Sequence, residues 1–570
     1  MPPSPQYPFL RSEDKSSSTS HIELGEVPAK EVYEDPSNKK LDLEEDAGGK
    51  VSEFLDTNLN LGQEIRALDD LGNSHKRERS FWGKLAALEF EVHFENKNHM
   101  VIMLGAFAAF AGILSGIDQS IISGASIGMN KMLHLSTHQA SLVSSLMPLG
   151  AVAGSILLTP LSEYFGRKKA LVISCVFYTI GAIICAAATN HHEMYAGRFL
   201  VGVGVGIEGG GIGVYISESV PSSVRGSLVS LYQFNIALGE LFGYIIGVIF
   251  FDVKGGWRYM VGSSLVFSTI LFVGLLFLPE SPRWLMHKDR VGESWNVWKR
   301  LRDVNVEANK VEFLELRQAA DQDRQLRSSE THFQSLFNLV CVPRNRRALV
   351  HSSIMIALGQ LTGINAIMYY MSTLMRQIGF SEKRAVAMSM VGGAALLIGT
   401  IPAILWMDKF GRRTWSMTIV LFSIGLVLVG VGYLYQDSNL IAAEGVYLTG
   451  QIIYNMAFGS YAALTWVLPS ESFSLGTRSV GMTVCSALLY LFAFTVTYNF
   501  ERMQSAFTYT GLTLGFYGGI AIAIGIPYQL LFMPETKNRT LEEIDDIFEK
   551  PVRQIVRENI AYLRKGKLTY

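Results

Sequence analysis

Residues 162–168 read SEYFGRK, and residues 407–413 read MDKFGRR. In both stretches an acidic residue stands three positions before a glycine, and two basic residues follow that glycine. Glycine allows the chain to turn sharply after a helix. The two glycines, Gly166 and Gly411, are 245 positions apart. A turn motif that recurs at such a distance predicts a chain built from two similar halves.

Two further motifs recur in the same order and at nearly the same distance. Glu218 is followed seven positions later by Arg225, and Glu471 is followed seven positions later by Arg478. The segment PESPR, which begins at Pro279, returns as PETKNR 255 positions later. Three matched motifs at nearly one offset are not expected by chance. They predict an internal repeat of the whole central part of the chain.

The distribution of charge predicts a polytopic membrane protein. Of 49 basic and 50 acidic residues, only 29 fall within the 367 residues of 99–279 and 348–533. A soluble protein could not cover its surface with so few charges, and a membrane-spanning helix needs about 20 apolar residues. Apolar runs of that size lie near 100–124, 139–161, 170–188, 195–217, 227–250, 259–278, 348–371, 385–406, 415–435, 442–468, 479–499 and 509–533.

Charge also predicts the orientation and excludes other classes. The loop between the sixth and seventh runs contains 13 Lys and Arg residues, which places it and both termini in the cytoplasm. A net charge of −1 without a long basic run argues against nucleic-acid binding. The four cysteines lack the spacing of a metal site, so no metal or other cofactor is expected. No set of nucleophile and base indicates an enzyme.

The polar ends of the chain are predicted to be tails. Residues 1–75 are rich in Ser, Glu, Asp and Lys and are expected to be disordered. Residues 76–97 have the pattern of a short amphipathic helix at the membrane surface. The N-terminal tail is either a plain tail or a substrate of regulatory kinases or ubiquitin ligases. The predicted parts are a tail at 1–98, a six-helix bundle at 99–279, a loop at 280–347, a second bundle at 348–533 and a tail at 534–570.

The repeated motifs lie at the predicted cytoplasmic ends of helices. Acidic and arginine side chains there can bridge neighbouring helices and hold one gate closed. The alternative is that the basic residues only anchor the helices in the cytoplasm, which leaves the matched acids unexplained. The predicted gate residues are Glu163, Gly166, Arg167, Glu218, Arg225, Asp408, Gly411, Arg412, Glu471 and Arg478.

With these motifs the chain resembles the sugar porters of the major facilitator superfamily over about residues 99–548. The resemblance implies an all-α integral membrane protein with twelve transmembrane helices in two pseudo-symmetric six-helix bundles, a helical cytoplasmic loop and transport by alternating access. The motifs that carry it, besides the turns above, are GRFLVGVG from Gly197, YISE from Tyr215, PESPRWL from Pro279, QLTGIN from Gln360, PETK from Pro534 and LEEID from Leu541.

Ionisable residues at membrane depth are costly and are therefore functional candidates. Away from the helix ends they are Asp118, Arg198, Glu208 and Glu240, all in the first half. The resemblance implies that Asp118 in helix 1 takes up a proton and otherwise pairs with Arg198 in helix 4. The alternative is a permanent structural ion pair. Glu240 is either a hydroxyl acceptor or a second proton site, because it shares a helix face with Gln233 to within about 20°. Glu208 either lines the cavity or pairs with a neighbouring helix.

A sugar site needs amides, hydroxyls and an aromatic surface for the ring. The resemblance assigns these roles to Gln233, Gln360, Asn365, Tyr369, Tyr370 and Trp466, and Glu240, on the Gln233 face of helix 5, is a further candidate. The chain also departs from the family pattern. The first of two glutamines in helix 7 is replaced by Gly359, and the asparagine of helix 8 by Leu396. Fewer polar contacts are therefore expected from the second half.

The sequence thus predicts uptake of a monosaccharide with protons across the plasma membrane, with fructose as the preferred hexose. The proton gradient drives transport, and the partners are the sugar, the proton and the lipid bilayer. Three alternatives stay open: a symporter for a polyol or myo-inositol, a passive hexose facilitator, and a sugar sensor that does not transport.

Overall fold

Twelve helical segments form the body of the molecule. The structure is a computed structural model that describes residues 66–71, 97–220, 222–327, 332–473, 477–507, 515–537 and 541–566. The first half contains α1 (Lys97–Met132), α2 (Thr137–Tyr164), α3 (Arg167–Ala187), α4 (His191–Ser219), α5 (Ser222–Phe250) and α6 (Gly256–Phe277). The second half contains α7 (Pro343–Leu361 and Ile364–Ile378), α8 (Glu382–Phe410), α9 (Arg412–Ser416 and Thr418–Leu434), α10 (Leu440–Ala462 and Leu464–Ser472), α11 (Arg478–Ala506) and α12 (Gly515–Leu531).

Ten of these helices are long and apolar enough, by length and composition, to cross a membrane. α12 is apolar but shorter. α10 contains Gln451 and Asn455, whose polarity lowers its mean hydropathy. Both side chains are buried within the protein, so α10 exposes neither of them to lipid. The order of six helices, a loop and six helices therefore agrees with the sequence prediction.

The packing of the two halves is pseudo-symmetric. In the first half α1 packs along α5, while α4 packs along α2 and α3. The second half repeats these pairs as α7 with α11, and α10 with α8 and α9. Small residues permit the close approach: a Cβ added at Gly116 in α1 would lie 1.9 Å from a backbone oxygen of α5. The halves meet along α2 with α11 and along α5 with α8.

The repeated turn motifs have the same backbone geometry. Gly166 has φ 99° and ψ 168°, and Gly411 has φ 91° and ψ 160°, a region that favours glycine. At each turn a carboxylate accepts an amide from one of the first two residues of the following helix. Glu280 accepts the amide of Lys168 at 3.0 Å, and Glu535 accepts the amide of Arg412 at 2.9 Å. The PESPR and PETKNR motifs therefore recur because each supplies the carboxylate that completes a glycine turn.

These turns define one end of the molecule, which we call the loop end; the other is the opposite end. The segment between the halves forms helices Pro282–His287, Val291–Leu301, Glu307–Arg327 and His332–Cys341 at the loop end. The C-terminal segment is helical at Leu541–Glu549 and Val552–Arg564. It packs on the second half, where Arg344 pairs with Asp545 and the Asn559 amide donates to the carbonyl of Leu531 at 2.8 Å.

The N-terminal tail differs from the prediction at residues 66–71, which form a helix instead of disordered chain. Leu68 is buried there, and the Asp69 carboxylate accepts hydrogen bonds from Trp295 Nε1 at 2.9 Å and Lys299 Nζ at 2.8 Å. Tertiary contact with the loop helix thus overrides the polar composition. The predicted amphipathic helix and the regulatory sites on residues 1–65 lie outside the described residues.

Candidate functional site

The centre of the first half contains a buried ion pair. Arg198 Nη1 of α4 donates to Asp118 Oδ1 and Oδ2 of α1 at 2.8 and 2.7 Å. Arg198 Nε donates to the carbonyl of Val143 in α2 at 3.1 Å. Asp118 is 7% exposed and Arg198 is 2% exposed. The structure therefore brings together the two side chains that the sequence proposed for proton coupling.

The ion pair is incompletely satisfied and lies near the second half. Arg198 Nη2 is buried without a hydrogen-bond partner among the described residues. The Tyr369 hydroxyl of α7 interacts electrostatically with both Asp118 and Arg198, and it donates to Met147 Sδ at 3.3 Å. Breaking a buried pair leaves an uncompensated charge. A change in the charge of Asp118 would therefore alter the interactions that join α1 to α4 and to α7.

One face of α5 carries polar groups toward the second half. The Gln233 amide oxygen accepts a hydrogen bond from Trp466 Nε1 of α10 at 3.0 Å, which links the two halves. Glu240 is 4% exposed, and its Oε2 has no hydrogen-bond partner within the described part of the chain. Tyr244 on the same face donates to the carbonyl of Met368 in α7 at 3.0 Å. The predicted sugar-binding face of α5 thus lies against α7 and α10.

α7 is interrupted where the predicted binding residues lie. Its two segments are separated at Thr362 and Gly363, and Gly363 has φ 89°. Across this break the Asn365 amide donates to the Gln360 side-chain oxygen. The freed carbonyl of Thr362 accepts the Tyr454 hydroxyl of α10 at 3.1 Å. Discontinuous helices of this kind provide substrate sites in transporters.

Tyr370 extends the site toward the opposite end. Its ring stacks on Phe500 with centroids 4.9 Å apart, and its hydroxyl donates to the carbonyl of Thr497 at 3.4 Å. It also lines a cavity of about 540 Å³ between the halves, together with Ser144 and Glu501. The predicted binding residues thus lie near the interface between the halves, but Tyr370 faces a cavity at the opposite end.

The halves contact each other at both ends. At the opposite end, Ser141 of α2 donates to Glu501 of α11 at 2.7 Å, and Lys131 of α1 pairs with Glu382 of α8 at 2.8 Å. At the loop end, the hydroxyls of Thr159 in α2 and Thr483 in α11 are 3.0 Å apart. The state described is therefore one in which cross-half contacts exist on both sides of the central polar groups.

The predicted gate residues form two matching ion pairs. Arg167 Nη2 lies 2.8 Å from Glu218 Oε1, and Arg412 Nη2 lies 2.7 Å from Glu471 Oε1. A hydroxyl supports each acid: Ser281 donates to Glu218 at 2.5 Å and Thr536 to Glu471 at 2.8 Å. Each pair joins neighbouring helices of a single half, α3 with α4 and α9 with α10.

The remaining gate candidates have other contacts or are not described. The carbonyl of Glu163 accepts Trp284 Nε1 at 3.1 Å. Arg478 donates to the carbonyl of Phe473 at 3.2 Å. The side chains of Arg225 and Asp408 lie outside the described residues. The acid of each repeat is therefore paired with the arginine of the glycine turn.

Sequence reasoning missed a buried chain of serines. Ser123 of α1 donates to Ser372 of α7 at 3.1 Å, and the Ser372 hydroxyl lies 3.0 Å from that of Ser389 in α8. Serine is common in membrane helices, so only the tertiary packing distinguishes this row of serines.

Sequence reasoning also missed two ionisable groups near helix ends. They are Glu501, described above, and His351, whose Nδ1 lies 2.9 Å from the Tyr528 hydroxyl. Within the described ranges no cluster of three or more His, Cys, Asp or Glu is placed to hold a metal ion.

Comparisons with known proteins agree on a transporter. Residues 104–548 match the model of the family described as "Sugar (and other) transporter". The myo-inositol transporter FST1 of Gibberella moniliformis is 50% identical over 533 residues, which cover 92% of this chain and 92% of that protein. Myo-inositol transporter 1 of Cryptococcus neoformans is 30% identical over 468 residues, 79% of this chain and 81% of that protein.

A solved structure shares the fold. It is the proton:xylose symporter XylE bound to 6-bromo-6-deoxy-D-glucose, with a TM-score of 0.68 and 24% identity over 80% of this chain and 100% of that chain. This likeness and the family match confirm the predicted major facilitator fold. At 24% sequence identity, this similarity shows the fold alone.

Proposed function

Because the chain belongs to the sugar (and other) transporter family, we propose that it carries myo-inositol with protons across the plasma membrane by alternating access. The chain is a multi-pass membrane transporter and not an enzyme. In this proposal both termini and the loop end face the cytoplasm, and the predicted division into tail, bundle, loop, bundle and tail is kept. The proton gradient drives transport without a cofactor.

The choice of substrate departs from the preference for fructose. Two relatives, one of them 50% identical over 92% of the chain, are named for myo-inositol, which was an alternative of the sequence prediction. Myo-inositol presents a hydroxyl on every ring carbon, so each polar contact is with a group that both donates and accepts. The amides of Gln233, Gln360 and Asn365 suit such a ligand, and the carboxyl of Glu240 adds an acceptor. Leu396 offers no polar contact, consistent with recognition mainly from α5 and α7.

The observation that carries the coupling is the buried pair of Asp118 and Arg198. Without a proton, Asp118 is charged and binds Arg198, which holds α1 against α4. With a proton, Asp118 is neutral and no longer needs the pair. Because the two forms stabilise different packings, proton binding shifts the equilibrium between conformations. Tyr369 interacts electrostatically with Asp118 and Arg198 and also with Glu240 of the proposed substrate site, so it connects the ion pair to that site.

The test is uptake of labelled myo-inositol, fructose, xylose, glucose and sorbitol by the full chain in a transport-null cell, with external pH recorded. We expect accumulation of myo-inositol and alkalinisation of the medium when it is added. Asp118→Asn should abolish both while exchange of labelled for unlabelled myo-inositol persists, because Asn mimics the neutral acid. Asp252→Asn is the control, since its exposed pair with Lys383 lies outside the site.

The outcomes separate the alternatives. Uptake of fructose without myo-inositol would contradict the substrate choice. Uptake without accumulation or alkalinisation would indicate a passive facilitator. An Asp118→Asn variant that still concentrates substrate to the wild-type level would contradict the coupling role of Asp118. Surface expression without uptake of any of the five compounds would favour a sensor.

A further inference from the structure

A second acidic residue lies deep in the first half without a charged partner. Glu208 of α4 is ten residues beyond Arg198, which places it about 15 Å nearer the loop end. It is 2% exposed, and its Oε1 accepts no hydrogen bond from any described residue. The alternatives left by the sequence were a cavity position or a pair with a neighbouring helix. The described residues offer no such ion pair.

Among the described residues, the titratable groups that interact with Glu208 are neutral near pH 7. Those that interact electrostatically with its carboxyl come from α3, α5 and α11, and none is basic. They are Cys175, Tyr178, Tyr232 and Tyr490. An unpaired carboxylate at membrane depth would cost several kcal/mol. A protonated, neutral carboxyl is the form that suits these surroundings.

Glu208 lies where the two halves meet on the loop-end side of the substrate site. The Tyr490 hydroxyl, from the second half, is 2.6 Å from the position a Cβ would take on the adjacent Gly209. The Tyr232 ring meets Trp466 edge to face with centroids 6.1 Å apart, and Trp466 in turn donates to Gln233. Separation of the halves at this end would therefore admit water to Glu208.

We propose that Glu208 is a second proton-binding residue of the transport cycle, protonated while the halves are closed at the loop end and deprotonated when they separate there. In the release step the O–H bond of the carboxyl breaks, the proton passes to an entering water molecule, and the carboxylate remains in contact with water. The inference rests on the proposed proton symport. It also fits the difference between the two buried acids: Asp118 is paired with Arg198, whereas Glu208 has no charged partner among the described residues.

The tyrosine of α3 connects the two acids. The Tyr178 hydroxyl interacts electrostatically with both Asp118 and Glu208, and it donates to the carbonyl of Leu114 in α1 at 3.3 Å. A change of charge at either acid thus changes the electrostatic environment of the same hydroxyl. This position allows the two protonation events to be coupled without direct contact between the carboxyls.

Glu208→Gln tests the proposal in the full chain, because glutamine has the shape of the neutral acid but cannot release a proton. Exchange of labelled for unlabelled myo-inositol at equal pH needs no proton release, whereas net accumulation does. We expect exchange to stay within about twofold of wild type and accumulation and alkalinisation to fall about tenfold or more. Glu208→Asp, which keeps a titratable carboxyl, should retain measurable accumulation. Surface expression is measured for every variant.

The possible results are distinct. Wild-type accumulation in Glu208→Gln would overturn the proposal, and so would loss of exchange in both Glu208 variants, since that indicates a packing role. A wild-type protein that moves substrate without alkalinisation would overturn the proposed symport and this inference with it. Normal wild-type coupling together with normal coupling in Glu208→Gln would overturn only the inference.

Discussion

The hydrogen bond between Ser141 and Glu501 should help to keep the opposite end closed. Its length of 2.7 Å and its carboxylate acceptor mark it as a charge-assisted bond across the halves. Ser141→Ala removes the donor. Glu501 lines the cavity and can be rehydrated, so we expect a loss of about 1–2 kcal/mol, which corresponds to a change of about 5- to 30-fold in the closing equilibrium.

Accessibility of a cysteine in the cavity measures this equilibrium. Thr373 lines the cavity from α7, and Thr373→Cys can be labelled by a membrane-impermeant thiol reagent added at the opposite end. The native thiols interfere little: Cys341 is exposed but lies at the loop end, and the other three are buried. The labelling rate of Thr373→Cys should rise about 5- to 30-fold when Ser141→Ala is added.

A matched control exists one turn further along α2. Ser145 is also buried, but its hydroxyl donates at 2.8 Å to the backbone carbonyl of Ser141 within the same helix. Ser145→Ala removes the same atom without touching the second half, so the labelling rate should not change. Equal rates in Ser141→Ala and Ser145→Ala would refute the assignment of Ser141 and Glu501 to closure of the opposite end.

Two further changes test the loop end. Gly411→Ala should lower the free energy of unfolding of the detergent-solubilised protein by about 1–2 kcal/mol, because an L residue is strained at φ 91°. Thermal denaturation measures this change. Gly445→Ala, in the interior of α10 with open space around it, is the control that should not lower stability and should raise it by up to about 1 kcal/mol. Although partial burial acts to raise the pKa of Asp69, hydrogen bonds from Lys299 and Trp295 hold it below its usual range. Docking of residues 66–71 is therefore expected to persist above the ordinary Asp pKa and to weaken as pH falls through the lowered value. Limited proteolysis near residue 72 as a function of pH measures this, and a digestion rate that does not change on acidification would contradict it.

The sequence predicts the repeated parts of this fold because their cause is local. Gly166 and Gly411 share a backbone conformation that favours glycine, and the acid that completes each turn is a fixed part of a second motif. The pair of Asp118 and Arg198 follows from the cost of charge in the membrane. In contrast, the break at Thr362 depends on the Tyr454 hydroxyl, which donates a hydrogen bond to the exposed Thr362 carbonyl, and Tyr454 lies 92 residues away. No local pattern contains that contact.

In the proposed transport cycle the two halves, which share a fold, have different roles. The first half contains Asp118 and Glu208, whose charges can respond to protons, and Arg198, which pairs with Asp118. The second half contains the interrupted α7 and the tryptophan of α10, whose polar groups can respond to substrate. The contact from Trp466 to Gln233 and the interaction of Tyr369 with the ion pair cross the interface between them. Coupling in such an arrangement requires no direct contact between proton and substrate, because each ligand needs only to favour the same relative position of the two halves.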